Sequence, residues 1–229
     1  VRNPPVSVGA PVSVRAPVSV RAPASVSARP PASSVRPPRL VRTFLALDFD
    51  AASVRRFESV GATLRSADEA PADLAALRWT PRNNLHLTVK FLGDVPESAV
   101  AALAAQLPEL ARAAGPIRIP LRGVIAFPSL RRAEVIVTDV ADAQGHLASL
   151  FRALEQLAAT HGVPAEERPY RPHVTLARAR QPFDARAWLG TVAVLDGFEI
   201  ACPSLALYRS DRLEHGAVYT AIARASLKV

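Results

Sequence analysis

Leu85-His86-Leu87-Thr88-Val89-Lys90-Phe91-Leu92-Gly93 and Pro172-His173-Val174-Thr175-Leu176-Ala177-Arg178 state one pattern twice. Each is His-apolar-Thr-apolar inside a strand-like run. Strand side chains alternate between faces. His86 and Thr88 are therefore expected on one face, with Leu85, Leu87, Val89 and Phe91 on the other. The same alternation sets His173 with Thr175, above Val174 and Leu176. Each strand would offer an imidazole and a hydroxyl to a cleft while its apolar face packs under helices. A lone His-x-Thr is common on strands and carries little information. Two copies, 87 residues apart, imply two similar lobes facing each other, each contributing one motif.

Outward from these segments, short strands alternate with a few longer helical patterns. Arg42–Asp48 reads as a buried first strand and Ala51–Ser66 as an amphipathic helix. Strands are expected at Leu77–Thr80 and Asn84–Leu92, followed by a helix over Glu97–Ala113 with Pro96 suited to its start. Ile117–Phe127 and Ala133–Thr138 read as a pair of strands, and Asp142–His161 as a third helix. Further strands are expected around His173–Arg178, Val192–Ile200, Ser204–Tyr208 and Ala217–Ala223. Runs of strands with few helices predict an α+β domain over residues 41–229 rather than a doubly wound parallel sheet.

The first forty residues differ in kind. Pro5-Val-Ser-Val-Gly-Ala10 repeats as Pro11-Val-Ser-Val-Arg-Ala16 and Pro17-Val-Ser-Val-Arg-Ala22. A proline at every sixth position forbids a continuous helix and interrupts any ladder. No aromatic residue, and no Leu before Leu40, is present to anchor a core. Residues 1–40 are read as a disordered arm without a biochemical role, an electrostatic RNA-holding arm being the alternative. The arm also qualifies the net charge of +8. Its six arginines and absence of acidic residues leave +2 for the remainder, so bulk charge does not argue for a duplex-binding face. No apolar run approaches the ~20 residues of a membrane helix. The single Cys202 cannot form an internal disulfide, and a cytoplasmic protein is expected.

The sequence resembles the two-histidine phosphoesterases, most of all the bacterial RNA 2′,3′-cyclic phosphodiesterases, or 2′-5′ RNA ligase-like proteins. The likeness rests on both tetrads, His86–Val89 and His173–Leu176. It extends to Phe44-Leu-Ala-Leu-Asp48, Trp79-Thr-Pro81, Phe127-Pro128, Arg168-Pro-Tyr-Arg171, Leu207-Tyr-Arg-Ser210 and Gly216-Ala-Val-Tyr219. The arm lies outside it. The resemblance implies a bilobal fold in which two antiparallel sheets with outer helices flank a central groove. It also implies hydrolysis of RNA 2′,3′-cyclic phosphate ends, or of small cyclic nucleotides, to 2′-phosphomonoesters, with no cofactor and no metal. His86 is then the acid and His173 the base, with weak reverse 2′-5′ ligation expected from microscopic reversibility. Thr88 and Thr175 are assigned to the phosphate oxygens, against a plain role in strand propensity.

The residue types suit that chemistry, because imidazole titrates near pH 6.5 and one ring can accept a proton while the other donates. The resemblance brings Arg178 to the nucleotide, although it sits five residues past His173 and formally on the opposite face. Phe44 is a candidate for base stacking or for core packing. His146, His161 and His215 have no metal-ligand spacing and read as surface residues, and Cys202 as a buried thiol. An RNA-binding module on the same scaffold, or an enzyme for another cyclic phosphate or for 2′-5′ linkages, stays open. A monomer needs no special assumption.

Overall fold

Both His-x-Thr segments meet at the centre of one antiparallel sheet. The structure, a computed structural model, describes residues 38–71, 74–191, 198–214 and 216–227. The chain runs β1 (Leu40–Asp48), α1 (Ala51–Ser66), β2 (Leu77–Trp79), β3 (Leu87–Pro96), α2 (Glu97–Ala114), β4 (Ile117–Ser129) and β5 (Arg132–Val140). It continues with α3 (His146–Thr160), β6 (His173–Phe183), α4 (Arg186–Thr191), β7 (Glu199–Cys202), β8 (Ser204–Leu213) and β9 (Gly216–Ser226). The strand order is β7-β4-β5-β6-β3-β1-β8-β9, with β2 added alongside β6. This is an α+β fold built on one curled antiparallel sheet with four helices.

The expectation of two separate sheets is corrected by a single bridge. Leu87 on β3 pairs with Val174 on β6, and that contact joins the two halves into one path. Both side chains are fully buried, in the same core cluster as the apolar stripes of the helices. The stripes follow helical spacing: Phe57, Val60 and Leu64 in α1, Leu103, Leu107 and Ala111 in α2, Leu147, Leu150 and Leu154 in α3.

Helix ends are set by local chemistry. Asp50 caps α1 by accepting the Ser53 N–H at 2.7 Å. The Asp142 carboxylate accepts from the Leu147 and Ala148 N–H groups at 3.0 and 2.8 Å. Asp142 therefore stands ahead of α3 rather than within it, which trims the expected helix to His146–Thr160. No sequence pattern announces α4. It is too short to show a period, yet it seats Trp188 in the core, with its indole N–H donating to the Leu64 carbonyl at 2.9 Å. The arm lies outside the described residues as far as residue 37, and Leu40 already belongs to β1. Most of the strand expected over Val192–Ile200 is likewise outside them, leaving β7. Among the described residues, no helix is long and apolar enough to cross a membrane.

Candidate active site

The Leu87–Val174 bridge fixes the relation of the two motifs. Extending its antiparallel register by one residue each way sets His86 opposite Thr175 and Thr88 opposite His173. With Leu87 and Val174 turned into the core, all four polar side chains point to the other face and line one cavity of about 580 Å³. The arrangement has a local two-fold character, and it differs from two lobes facing each other across a gap. Strictly, β3 begins at Leu87; a 3-10 turn over Arg82–Asn84 precedes His86, where a strand was expected from Asn84.

That turn orients the ring. His86 Nδ1 donates to the Asn84 carbonyl at 2.7 Å, and His173 Nδ1 donates to the Arg171 carbonyl at 2.7 Å. A carbonyl can only accept, so the proton of each neutral imidazole sits on Nδ1 and Nε2 is left basic. His86 Nε2 lies 3.1 Å from Thr88 Oγ1, whose hydroxyl can donate to it. Asn84 is itself held, its side-chain amide donating to the Ala217 carbonyl on β9 at 3.0 Å.

Burial governs the titration of both rings. It pushes His86 down to about 4, opposed by the Asn84 carbonyl and by the charge of Asp48. His173 is also held below its ordinary value, first by burial and then by the positive charges of Arg178 and Arg171. The surroundings differ. His86 packs among Phe44, Tyr208 and Tyr219 at ring-centroid distances of 4.9, 6.2 and 5.2 Å. His173 meets the edge of Phe127 at 5.0 Å, with the Arg171 guanidinium 4.7 Å over that same ring.

Simple alternation fails beyond the threonines, and it fails identically on both strands. On β3, Thr88 and Lys90 pair with the consecutive residues Ala46 and Leu45, so Val89 is an extra residue. On β6, Thr175 and Ala177 pair with the consecutive Val137 and Ile136, so Leu176 is extra. Each is a β-bulge, which turns two successive side chains to the same face. Val89 with Lys90, and Leu176 with Ala177, are all buried. The side chains that directly follow each bulge change face, until a further irregularity in each strand's pairing. Arg178 thereby reaches the groove, against the formal parity. Phe91, expected on the apolar face, is instead 59% exposed and lines the groove as well. Both stand five residues after their histidine.

Phe44 also borders the groove but is only 2% exposed, its ring covered by His86, Phe91, Tyr208 and Tyr219. It supports His86 more than it offers a free face. Arg42, Arg78, Arg178 and Arg212 line the groove, and among the described residues no carboxylate does. Among the described residues no ion-pair partner stands beside Arg78, Arg178 or Arg212. A groove of this size, with four guanidinium groups, two imidazoles and two threonine hydroxyls, suits a phosphate-bearing ligand of nucleotide dimensions.

Comparison with known proteins agrees with that character. A family model described as the 2′-5′ RNA ligase superfamily matches residues 50–214, which contain both His-x-Thr pairs. The chain belongs to the 2′-5′ RNA ligase superfamily. An RNA 2′,3′-cyclic phosphodiesterase of Thermus thermophilus is 34% identical over 176 residues, covering 75% of this chain and 86% of the relative. One from Methanothermobacter thermautotrophicus is 29% identical, covering 79% and 95%. A solved crystal structure from Thermus thermophilus superposes with TM-score 0.66 at 26% identity, covering 82% of this chain and 98% of that one. E. coli LigT complexed with NADP+ gives 0.61 at 26%, covering 83% and 99%.

Within this superfamily member, several groove residues lie beyond what the sequence alone discloses. Asn84, Arg42, Arg78, Arg212 and Tyr219 come from turns and from strands distant in sequence; the pairing of β1 with β8 and of β8 with β9 assembles Arg42, Arg212 and Tyr219, and the pairing of β2 with β6 sets Arg78 beside Arg178. Gly216 at the rim has φ +133, and a Cβ there would meet Arg78 Nη1 at 3.6 Å. Of the other expected bystanders, His146, His161 and Cys202 do not line the groove. His161 Nε2 lies 3.2 Å from Gln106 Nε2, tying α3 to α2, and His146 borders a separate cavity beside Asp142. His215 lies outside the described residues. Cys202 is buried, which pushes its thiol up to about 12 and leaves it unreactive. Among the described residues, no three His, Cys, Asp or Glu side chains converge as a metal site.

Proposed function

We propose that the protein opens 2′,3′-cyclic phosphates at RNA ends, leaving a 2′-phosphomonoester, with His86 and His173 as its acid–base pair. The observation that carries this reading is the groove in which two Nδ1-anchored imidazoles and two threonine hydroxyls surround the Leu87–Val174 bridge. Membership of the superfamily and the phosphodiesterase relatives support it. The NADP+ complex of E. coli LigT supports a nucleotide as the kind of ligand this groove takes.

In this mechanism His173 Nε2 removes a proton from water as the water oxygen attacks phosphorus in line with the 3′-oxygen. The P–O3′ bond breaks, and His86 Nε2 delivers its proton to that oxygen. The product carries a 2′-phosphate and a free 3′-hydroxyl. Thr88 and Thr175 hold the non-bridging oxygens, and Arg178 balances their charge. Burial keeps both rings neutral in the empty groove, so protonation of the acid is coupled to arrival of the anion, which favours the charged imidazole. Each proton transfer contributes roughly 10²–10⁴ in rate, and the strained five-membered ring needs no metal or covalent nucleophile.

Steady-state turnover of a short RNA with a 2′,3′-cyclic end tests this, comparing the parent protein with His86→Ala and His173→Ala. Loss of turnover in both, with thermal melting retained, is expected. Substantial activity in either variant removes that residue from the mechanism.

A further inference from the structure

We propose that the groove continues into a second, basic cavity that seats the nucleotides 5′ of the cyclic end, with Phe91 as the stacking platform at the junction. This rests on the reading of the groove as the place where the cyclic phosphate is opened. With the 2′- and 3′-oxygens of the terminal ribose closed into the ring, the RNA can continue only through the 5′-oxygen. The upstream strand must therefore leave the groove, and among the described residues a contiguous exit opens beyond Arg42, Ser210 and Arg212. Those three residues border both the groove and a neighbouring cavity of about 570 Å³.

The walls of that cavity combine cations with apolar surface. Arg39 and Arg209 join Arg42 and Arg212, and the exposed side chains of Leu40 and Leu213 lie among them. Arg39 pairs with Glu97 at 3.4 Å and Arg209 with Asp211 at 2.8 Å, while Arg42 lies 4.0 Å from Asp94. Arg212 has no such partner among the described residues, so the wall stays positive overall. These surface pairs are exposed and weak, and phosphates can compete for their guanidinium groups.

Phe91 is the second, independent observation. A large aromatic ring this exposed adds little to the core, and the bulge at Val89 is what turns it to the groove. It occupies on β3 the place that Arg178 occupies on β6. It also sits beside the junction, since β1 and β3 pair Thr43 with Gly93 and Arg42 with Asp94 just beyond it. An aromatic face followed by a row of arginines is what a single strand requires: a surface for a base, then charges for successive phosphates.

The test compares kcat/KM for a mononucleoside 2′,3′-cyclic phosphate with that for a pentanucleotide bearing the same end. The parent protein should favour the pentanucleotide by about tenfold or more, a preference that shrinks as salt is raised. The double variant R39A/R209A should lose most of that preference while keeping turnover of the mononucleotide within about twofold, and R39K/R209K should retain it. Phe91→Ala should lower the pentanucleotide value about fivefold or more beyond its effect on the mononucleotide. No preference in the parent protein, or equal losses on both substrates, overturns the proposal. Fluorescence anisotropy with a labelled pentanucleotide ending in a 2′-phosphate reads the cavity separately from chemistry. If neither substrate turns over, weaker binding by R39A/R209A still supports the cavity while the reaction fails, and unchanged binding refutes the cavity itself.

Discussion

His86 and His173 share a tautomer but differ in setting, and pH exposes the difference. Both titrate below 6.5 in the free protein, His86 at about 4. The proposed acid–base mechanism needs one ring neutral and the other protonated, so kcat/KM should follow a bell whose maximum lies on the acidic side of pH 6.5. The two limbs belong to the pair rather than to either ring. The limbs of kcat should lie higher, because bound anion favours the imidazolium. A kcat/KM maximum at pH 7.5 or above would contradict this. The same burial has a consequence for stability. Between about pH 6.5 and 4 the unfolded state binds more protons at residue 86 than the folded state does. Stability is therefore lost as pH falls through that window, with no further loss from this group below it. Urea midpoints measured from pH 7 to pH 4 should decline less steeply in His86→Gln. Thr88→Val removes the hydroxyl 3.1 Å from Nε2 while keeping strand propensity, and should lower kcat/KM by about tenfold without changing the melting temperature appreciably.

At the scale of elements, the two bulges decide which side chains reach the groove. The extra residue Val89 also places Lys90 on the core side, where it is 3% exposed and bonds to Glu155 of α3 at 2.6 Å and to the Pro164 carbonyl at 3.1 Å. Removing one partner of such a pair strands the other, which typically costs about 3–5 kcal/mol. Lys90→Ala should therefore destabilise by that order in chemical denaturation, and Lys90→Met/Glu155→Leu by distinctly less. Equal losses in both would show that packing volume, not the stranded carboxylate, is responsible. These bulges also mark the limit of what the sequence discloses. The period-two pattern shows which residues flank each histidine, since His86, Thr88, His173 and Thr175 precede any irregularity. It cannot show a bulge, because Val89-Lys90 and Leu176-Ala177 differ from regular strand only through the register of their neighbours. Alternation alone accordingly puts both Phe91 and Arg178 on the wrong face. Strand and helix positions are legible from apolar spacing, whereas α4 is too short and the single path through Leu87–Val174 is long-range pairing that no local pattern encodes.

Across the whole molecule, the charge is distributed in a way that totals conceal. The +8 of the chain owes most of its excess to six arginines in the first forty residues, yet among the described residues the groove itself gathers four arginines and no carboxylate. Local concentration of charge, rather than net charge, is what an anionic end meets. Residues 1–37 precede β1, and removing them should change turnover of a dinucleotide substrate by less than about twofold, as steady-state assays would show. A large loss would assign the arm a part in substrate capture.

Two facing His-x-Thr pairs are proposed to open a cyclic phosphate by acid–base catalysis. The most direct test is turnover of an RNA ending in a 2′,3′-cyclic phosphate, with chelator present and the product assigned by phosphorus NMR. The parent protein should give a 2′-phosphate, and His86→Ala and His173→Ala should give no product. A 3′-phosphate, abolition of the parent's activity by chelator, or a histidine variant that still turns over would contradict it.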